Sequence, residues 1–290
     1  MEDQEGSLGL ELIDKYRKLK FAASSWAADR GILPQSREYQ KFIVLTRPRS
    51  GSNLIGDYLG SSSQIALSGE IFQNLKKRII WNYWQPQKYK SPETLALRRD
   101  HPIRFLEDIV FRPYPVHLQA VGFKLFYSQA RSPRQDVVWD YLKSDSTIKV
   151  IHLIRHNLLK VYLSRQLATK NKSFIQRRRL FSRSEPAPAQ APIRLSYENC
   201  VEEFEKSILW QQEMRTFFSD HVVEEVVYED FLKDKKSTLD NLQLFLGARP
   251  ERLRTSLLRQ SKQSLADSIE NYWELKEKFS DTPWADFFTI

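Results

Sequence analysis

The sequence contains a single cysteine, Cys200, in 290 residues. One thiol forms no internal disulfide and cannot build a thiolate metal cluster. No stretch approaches the ~18 consecutive apolar residues that a membrane-spanning helix needs. The first residues, Met1 to Glu5, lack the basic and apolar regions of a secretory signal. These absences argue against a transmembrane or disulfide-stabilised protein and predict a cytoplasmic one.

Basic residues are unevenly distributed along the chain, which carries a net charge of +9. The segment from Ser146 to Ser184 holds ten Lys or Arg residues and no acidic residue, whereas Glu198 to Asp230 holds ten acidic residues. This separation predicts a positive face on the molecule. A solvated basic loop, a site for a polyanionic ligand and a nucleic-acid surface all fit the charge alone.

Short β-branched or aromatic runs alternate with amphipathic segments. The predicted strands are Lys41–Leu45, Gln64–Leu67, Ala120–Phe126, Thr147–Ile154 and His221–Tyr228. Ser91-Pro92 and Ser132-Pro133 each place a capping hydroxyl before a proline suited to a first helical turn. The alternation predicts an α/β fold with a central, mainly parallel sheet flanked by helices.

The domain organisation follows from the same pattern. An amphipathic helix is predicted from Leu8 to Ala28, so residues 1–40 are interpreted as an N-terminal helical extension and residues 41–290 as one domain. The basic and Pro/Ala-rich segment 171–194 has little apolar content and is predicted to be a mobile loop. A long helix, Tyr197 to Phe218, is predicted to follow it with Ser196 as its cap.

The first chemical motif is Thr46-Arg-Pro-Arg-Ser-Gly-Ser-Asn, between the first buried strand and the next helix. Backbone amides at a helix N-terminus suit a phosphate-like anion. The motif adds one fixed charge, three polar donors and a glycine for close approach to the ligand: Arg49, Ser50, Ser52, Asn53 and Gly51. The alternative is a surface turn with chance basic residues. The Gly-x4-Gly-Lys-Ser/Thr signature of an NTPase is missing, which argues against a metal-nucleotide kinase.

The second motif begins in the buried run Lys149 to Ile154 and continues into a predicted helix. The strand delivers Arg155 to its carboxyl end, where ligands bind in open α/β sheets, and Ser164 follows on the helix. An arginine and a hydroxyl there suit a second phosphate. Taken alone, the pattern is a weak signal, because such an arginine is more often a solvent or salt-bridge residue and such a serine an exposed helix residue.

In this order, the two motifs resemble those of sulfotransferases that use 3′-phosphoadenosine 5′-phosphosulfate (PAPS). Many members space the arginine and serine of the second motif eight positions apart, whereas Arg155 and Ser164 are nine apart. That spacing looks more like bacterial carbohydrate sulfotransferases of the nodulation-factor type. The resemblance spans about residues 41–290 and includes further matches at Ser68-Gly-Glu70, Val121-Gly-Phe-Lys124, Tyr228-Glu-Asp-Phe231, Phe245-Leu-Gly247 and Asn271-Tyr-Trp-Glu-Leu275.

The resemblance implies a P-loop-like sulfotransferase fold and a metal-free transfer of a sulfuryl group from PAPS to a hydroxyl, leaving adenosine 3′,5′-bisphosphate. It implies that Arg49 and residues 50–53 hold the 5′-phosphosulfate and that Arg155 and Ser164 hold the 3′-phosphate. Glu70 is the implied acceptor-activating base, with His117 as the alternative base. Glu70 also has a plain interpretation as a solvated side chain.

Two further lysines enter through the same resemblance. Lys124, at the end of a predicted strand, is interpreted as neutralising charge on the departing phosphate. Lys262 is interpreted as part of a basic segment that closes over the nucleotide. A solvent-exposed strand-end lysine is the alternative for Lys124.

The acceptor and the rival functions stay open at this level. A carbohydrate or glycolipid hydroxyl is the predicted acceptor, with small phenols and alcohols as alternatives. Trp81, Tyr83 and Trp84 suit either a sugar-stacking surface or the core. A P-loop-like kinase and a basic nucleic-acid-binding protein are the rival functions, although aromatic and basic residues are not interleaved as in stacking platforms.

Overall fold

The computed structural model describes residues 19, 21–73, 79, 81, 91–171, 191–255, 257 and 263–288. Most of the predicted loop 171–194 lies outside the described residues, as do Lys262, Tyr83 and Trp84. Those predictions therefore stay predictions.

Five parallel strands form the central sheet in the order β3-β5-β2-β6-β7. Their bounds are β2 Gln40–Thr46, β3 Ile65–Glu70, β5 Ala120–Phe126, β6 Lys149–Ile154 and β7 Val223–Val227. All five predicted strands are present. Their ends lie within two residues of the predicted bounds, except that β3 continues to Glu70. The predicted α/β class with a mainly parallel sheet is confirmed.

Helices connect the strands and cover the sheet. Their bounds are α2 Ser52–Leu59, α3 Pro92–Asp100, α4 Pro102–Phe105, α5 Val137–Ser144, α6 Leu158–Asn171, α7 Tyr197–Phe217, α8 Tyr228–Lys233, α9 Lys235–Phe245, α10 Leu265–Ser268 and α11 Tyr272–Lys278. A π-helical turn, Leu106–Val110, continues α4, and a 3₁₀ turn, Ala285–Phe288, lies near the end of the chain. No helix in the described part of the chain is long and apolar enough to cross a membrane.

The sheet buries both of its faces. Successive residues of β2 alternate between them, with Ile43 and Leu45 in one apolar cluster and Phe42 and Val44 in another. Strands buried on both faces are typical of parallel sheets covered by helices. A third apolar cluster joins α6 and α7 to the C-terminal helices.

The N-terminal region reaches the sheet through a short antiparallel pair. Residues 21–29 are helical and form α1, which overlaps the end of the predicted first helix; the earlier part of that prediction lies outside the described residues. Strand β1, Gln35–Ser36, then pairs with β4, Tyr114–Pro115.

Two of the predicted helix caps are confirmed and one is wrong. Ser91 accepts from the amide of Thr94 at the start of α3, and Ser196 accepts from the amide of Asn199 at the start of α7. After Ser132-Pro133, however, helix α5 begins only at Val137. Residues 132–136 form a turn instead, because the buried Gln135 side chain donates to the carbonyls of residues 98 and 99 at the end of α3.

Candidate active site

The loop after β2 adopts left-handed backbone at two of its residues. Arg49 has φ +72° and Gly51 has φ +92°, immediately before α2 begins at Ser52. A Cβ atom on Gly51 would lie 2.2 Å from the ring of Tyr228. The close approach that glycine permits here is thus to an aromatic side chain of the protein, whereas the sequence suggested a close approach to the ligand.

The structure brings the two predicted anion-binding motifs together. Arg49 Nε donates to Ser164 Oγ at 2.9 Å, and Arg155 Nη1 donates to the carbonyl oxygen of Arg49 at 3.2 Å. The guanidinium of Arg155 also lies 4.9 Å from the centre of the Tyr228 ring. The motifs are more than a hundred residues apart in sequence and meet because β2 and β6 are neighbouring parallel strands.

Electrostatics at this position favour an anion. Burial lowers the pKa of Arg49, and the positive charge of Arg155 lowers it further. The lowering by Arg155 reflects repulsion between two like charges held close together. A bound anion would relieve that repulsion. Two buried hydroxyl-bearing residues follow Arg49 in sequence: Ser50 in the loop and Ser52 at the start of α2.

On the other side of the loop, Glu70, Lys124 and Asn53 form a second polar group. Lys124 Nζ donates to Asn53 Oδ1 at 2.5 Å and lies 3.4 Å from Glu70 Oε1. The register between β3 and β5 shifts between Ser68 and Glu70, so Glu70 lies opposite Lys124. Such a bulge re-aims a side chain at the end of a strand. The three residues predicted from separate motifs are therefore neighbours.

Lys124 is almost fully enclosed, with 3% of its surface exposed. Burial lowers the pKa of its ammonium group, and the Glu70 carboxylate, followed by that of Asp57, opposes the shift. The alternative interpretation of Lys124 as a solvent-exposed strand-end lysine is wrong. Glu70 is also mostly buried, with 13% of its side chain exposed.

Comparison with known proteins identifies relatives over most of the chain. Nodulation protein H from Rhizobium tropici is 24% identical over 259 residues, which cover 87% of this chain and 94% of that protein. Nodulation protein H from Rhizobium meliloti (strain 1021) is 24% identical over 257 residues, covering 87% and 96%. The chain is similar to nodulation protein H. The resemblance to the nodulation-factor type, predicted from the motifs, is confirmed.

Two solved structures were also found to be similar. A sulfotransferase from Alicyclobacillus acidocaldarius has a TM-score of 0.44 at 13% identity, covering 85% of this chain and 92% of that one. The sulfotransferase domain of the Synechococcus PCC 7002 olefin synthase has a TM-score of 0.38 at 17% identity, covering 89% and 90%. No protein-family model matches the chain.

A buried charge cluster behind the loop was not predicted. Arg47 donates to the Glu203 carboxylate and to the Ser207 hydroxyl, both on α7, and its guanidinium lies 5.1 Å from the Trp210 ring. Glu203 also pairs with Arg165, which follows Ser164. Glu203 thus ties both anion-binding motifs to α7. The acidic run of α7 was the available signal, but its spacing does not indicate which acid faces inward.

A second unpredicted contact lies directly after Glu70. The fully buried Arg98 of α3 donates from Nη1 to the carbonyl oxygen of Ile71 at 2.8 Å. This contact holds the turn into which β3 runs. A charged residue on a short polar helix gives no sequence signal for such a role.

The structure also gives the positions of three other sequence features. His117 precedes β5, at the amino ends of the strands, and therefore lies at the opposite edge of the sheet from Glu70. Trp81 packs against the apolar core beside Phe105, as its core interpretation requires. In the matched segment Tyr228-Glu-Asp-Phe231, Glu229 accepts from the amides of residues 156 and 157 before α6. It reaches them because β6 and β7 end side by side.

Proposed function

We propose that the protein transfers a sulfuryl group from PAPS to a hydroxyl of a carbohydrate or glycolipid acceptor, leaving adenosine 3′,5′-bisphosphate. The observation that carries the proposal is the meeting of Arg49, Ser164 and Arg155 at the carboxyl edge of the sheet. Two arginines that repel one another, one of them bound to the Ser164 hydroxyl, suit a ligand with more than one anionic group.

The nucleotide side of the site divides between the two motifs. Arg49 and the amides at the start of α2 would hold the 5′-phosphosulfate, since Gly51 supplies no side chain to cap that helix. Arg155 and Ser164 would hold the 3′-phosphate, which distinguishes this donor from ATP. Lys262 would add a further charge from the C-terminal region.

The acceptor side consists of Glu70 and Lys124. When bound, the donor supplies the sulfuryl group: its sulfur–oxygen bond to the 5′-phosphate breaks as a bond from sulfur to the acceptor oxygen forms. Glu70 would take the proton of the acceptor hydroxyl. Lys124, beside Glu70 and Asn53, would offset negative charge on the departing phosphate.

The similarity to nodulation protein H supports the choice of a carbohydrate-type acceptor. Trp81, the described residue of the predicted aromatic group, is partly buried against the apolar core and does not bear on this choice. We therefore expect other side chains to contact the sugar.

The test is transfer of radioactive sulfate from labelled PAPS to a panel of oligosaccharides and lipid-linked oligosaccharides, read by chromatography and mass spectrometry. We expect a product heavier by one sulfate group and stoichiometric adenosine 3′,5′-bisphosphate. Arg155→Ala at low donor concentration is the matched control and should transfer far less. Phosphate transfer from ATP with magnesium, without sulfate transfer from PAPS, would contradict the proposal.

A further inference from the structure

Glu229 makes three contacts with a single segment of the neighbouring strand connection. Its Oε2 accepts from the amide of His156 at 3.0 Å, and its Oε1 accepts from the amide of Asn157 at 3.2 Å. The same Oε1 lies 3.6 Å from Arg155 Nε. One carboxylate of α8 therefore holds the entry to α6 and the arginine that precedes it.

These contacts occupy a position that often binds an external anion. Amides at the start of a helix, with the positive end of the helix dipole behind them, attract phosphate groups. Before α6, an internal carboxylate already accepts from two such amides, and the Asn157 side chain accepts from the amide of Lys160 at 2.9 Å. Recognition of a phosphate here would thus depend on the side chains of Arg155 and Ser164.

Binding of the 3′-phosphate then depends on the orientation of the Arg155 side chain. Its guanidinium is held on one side by Glu229, on another by the carbonyl oxygen of Arg49 at 3.2 Å, and lies 4.9 Å from the Tyr228 ring centre. A long arginine side chain loses much rotamer freedom when it is fixed. Contacts that fix it before the ligand arrives reduce the cost of binding.

From this geometry we infer that Glu229 is a positioning residue that sets Arg155 for the 3′-phosphate and so determines the preference for 3′-phosphorylated nucleotides. The inference rests on the proposed function. Glu229 also keeps these backbone amides from binding other anions, so that the preference follows the side chains of Arg155 and Ser164.

The experiment compares the affinities of adenosine 3′,5′-bisphosphate and AMP, by calorimetry, for wild type and Glu229→Gln. Glutamine keeps the size of the side chain but removes its charge and presents an NH₂ group to a backbone N–H. For Glu229→Gln we expect the preference, which is the dissociation constant of AMP divided by that of adenosine 3′,5′-bisphosphate, to fall about tenfold. The matched control is Asp230→Asn, because this adjacent carboxylate is exposed and pairs with the exposed Lys233, 2.7 Å away. Its ratio should equal that of wild type.

A purely structural role would give a different pattern. If Glu229 only caps α6, Glu229→Gln will lower the urea midpoint while its nucleotide ratio stays at the wild-type value, and this result would overturn the inference. Glu229→Asp, which keeps the charge on a shorter side chain, should retain more of the preference than Glu229→Gln. If Glu229→Asp shows no greater preference for adenosine 3′,5′-bisphosphate over AMP than Glu229→Gln does, the charge of Glu229 does not position Arg155.

A double-mutant cycle locates the effect. In an Arg155→Ala background, Glu229→Gln should change the ratio no further, because the side chain that Glu229 positions is gone. A second tenfold loss in that background would contradict the inference. If wild type itself binds the two nucleotides equally, the proposed function fails and this inference fails with it; a wild-type preference unaffected by Glu229→Gln contradicts the inference alone.

Discussion

Two cation–carboxylate pairs lie on opposite sides of the loop that follows β2. Lys124 and Glu70 belong to β5 and β3 on one side, with 3.4 Å between Nζ and Oε1. Arg155 and Glu229 follow β6 and β7 on the other side, with 3.6 Å between Nε and Oε1. The distances are similar, but the carboxylates differ in their other partners, because Glu229 accepts from two backbone amides whereas Glu70 contacts a side chain.

That difference in partners indicates different roles for the two carboxylates. A carboxylate that accepts from two fixed amides is committed to holding the backbone, and its partner arginine is held with it. A carboxylate paired with a lysine side chain can turn toward a substrate hydroxyl. Under the proposed function, the carboxylate on the nucleotide side positions Arg155, and the one on the acceptor side takes the proton of the acceptor hydroxyl.

The largest expected effect follows from removing the carboxylate that we propose as the base, Glu70. Glu70→Gln keeps the shape of the side chain but cannot take a proton, and loss of a general base reduces turnover by about 10² to 10⁴. We expect that loss in sulfate transfer at saturating PAPS. Affinity for adenosine 3′,5′-bisphosphate, measured by calorimetry, should stay within about twofold of wild type.

Arg49→Ala provides the contrast for Glu70→Gln, because Arg49 lies between the two pairs and is expected to serve both nucleotide binding and transfer. Its removal should lower affinity and turnover together. Near-normal turnover of Glu70→Gln would show that Glu70 is a structural residue and that both carboxylates do the same kind of work.

A smaller effect is expected on the nucleotide side. Arg155→Ala removes one charge-assisted contact, which costs about 1.5 to 3 kcal/mol, or about one to two decades of affinity. The loss should appear for adenosine 3′,5′-bisphosphate and hardly at all for AMP, because AMP lacks the 3′-phosphate. An equal loss for both nucleotides would mean that Arg155 does not distinguish them and that the two sides of the loop are not functionally separate.

The smallest effect concerns the loop between the pairs. Gly51→Ala forces an alanine into a backbone of φ +92° and places its Cβ against the Tyr228 ring, so we expect a loss of about 1 to 3 kcal/mol in the free energy of unfolding. Urea denaturation measures it. Gly247→Ala is the matched control, since Gly247 has φ +77° and a Cβ atom added there would meet no atom within 4 Å. Equal losses for both variants would show that the ring contributes nothing.

Much of the fold was predictable because its signals are local. Strands β2 and β5 are mostly apolar runs buried along both faces, which indicates a covered parallel sheet without knowledge of its neighbours. The partly exposed edge strand β7 was recognised from its β-branched residues instead. The turn after Ser132 was mispredicted because Gln135 within it bonds to the end of α3, 36 and 37 residues away in sequence. Local cap chemistry yields there to a tertiary hydrogen bond.

The candidate site was predictable where one motif carries the chemistry. Arg49 and Arg155 each follow a strong strand signal, and their meeting follows from the adjacency of β2 and β6. The partners of Arg47 and Arg155 were not predictable, because a glutamate on an acidic helix looks the same whether it faces solvent or a buried guanidinium. Glu203 and Glu229 acquire their roles only through strand order and helix packing.

The positive and negative residues of the site belong to different strands of the sheet. Lys124, Arg49 and Arg155 lie on or directly after the three inner strands, whereas Glu70 and Glu229 end or follow the two edge strands of the described sheet. An edge strand is bonded to one neighbour instead of two, so its local opening costs less free energy than opening at the centre. We therefore expect β3 to fluctuate and admit a bulky acceptor while the nucleotide stays held by the inner strands.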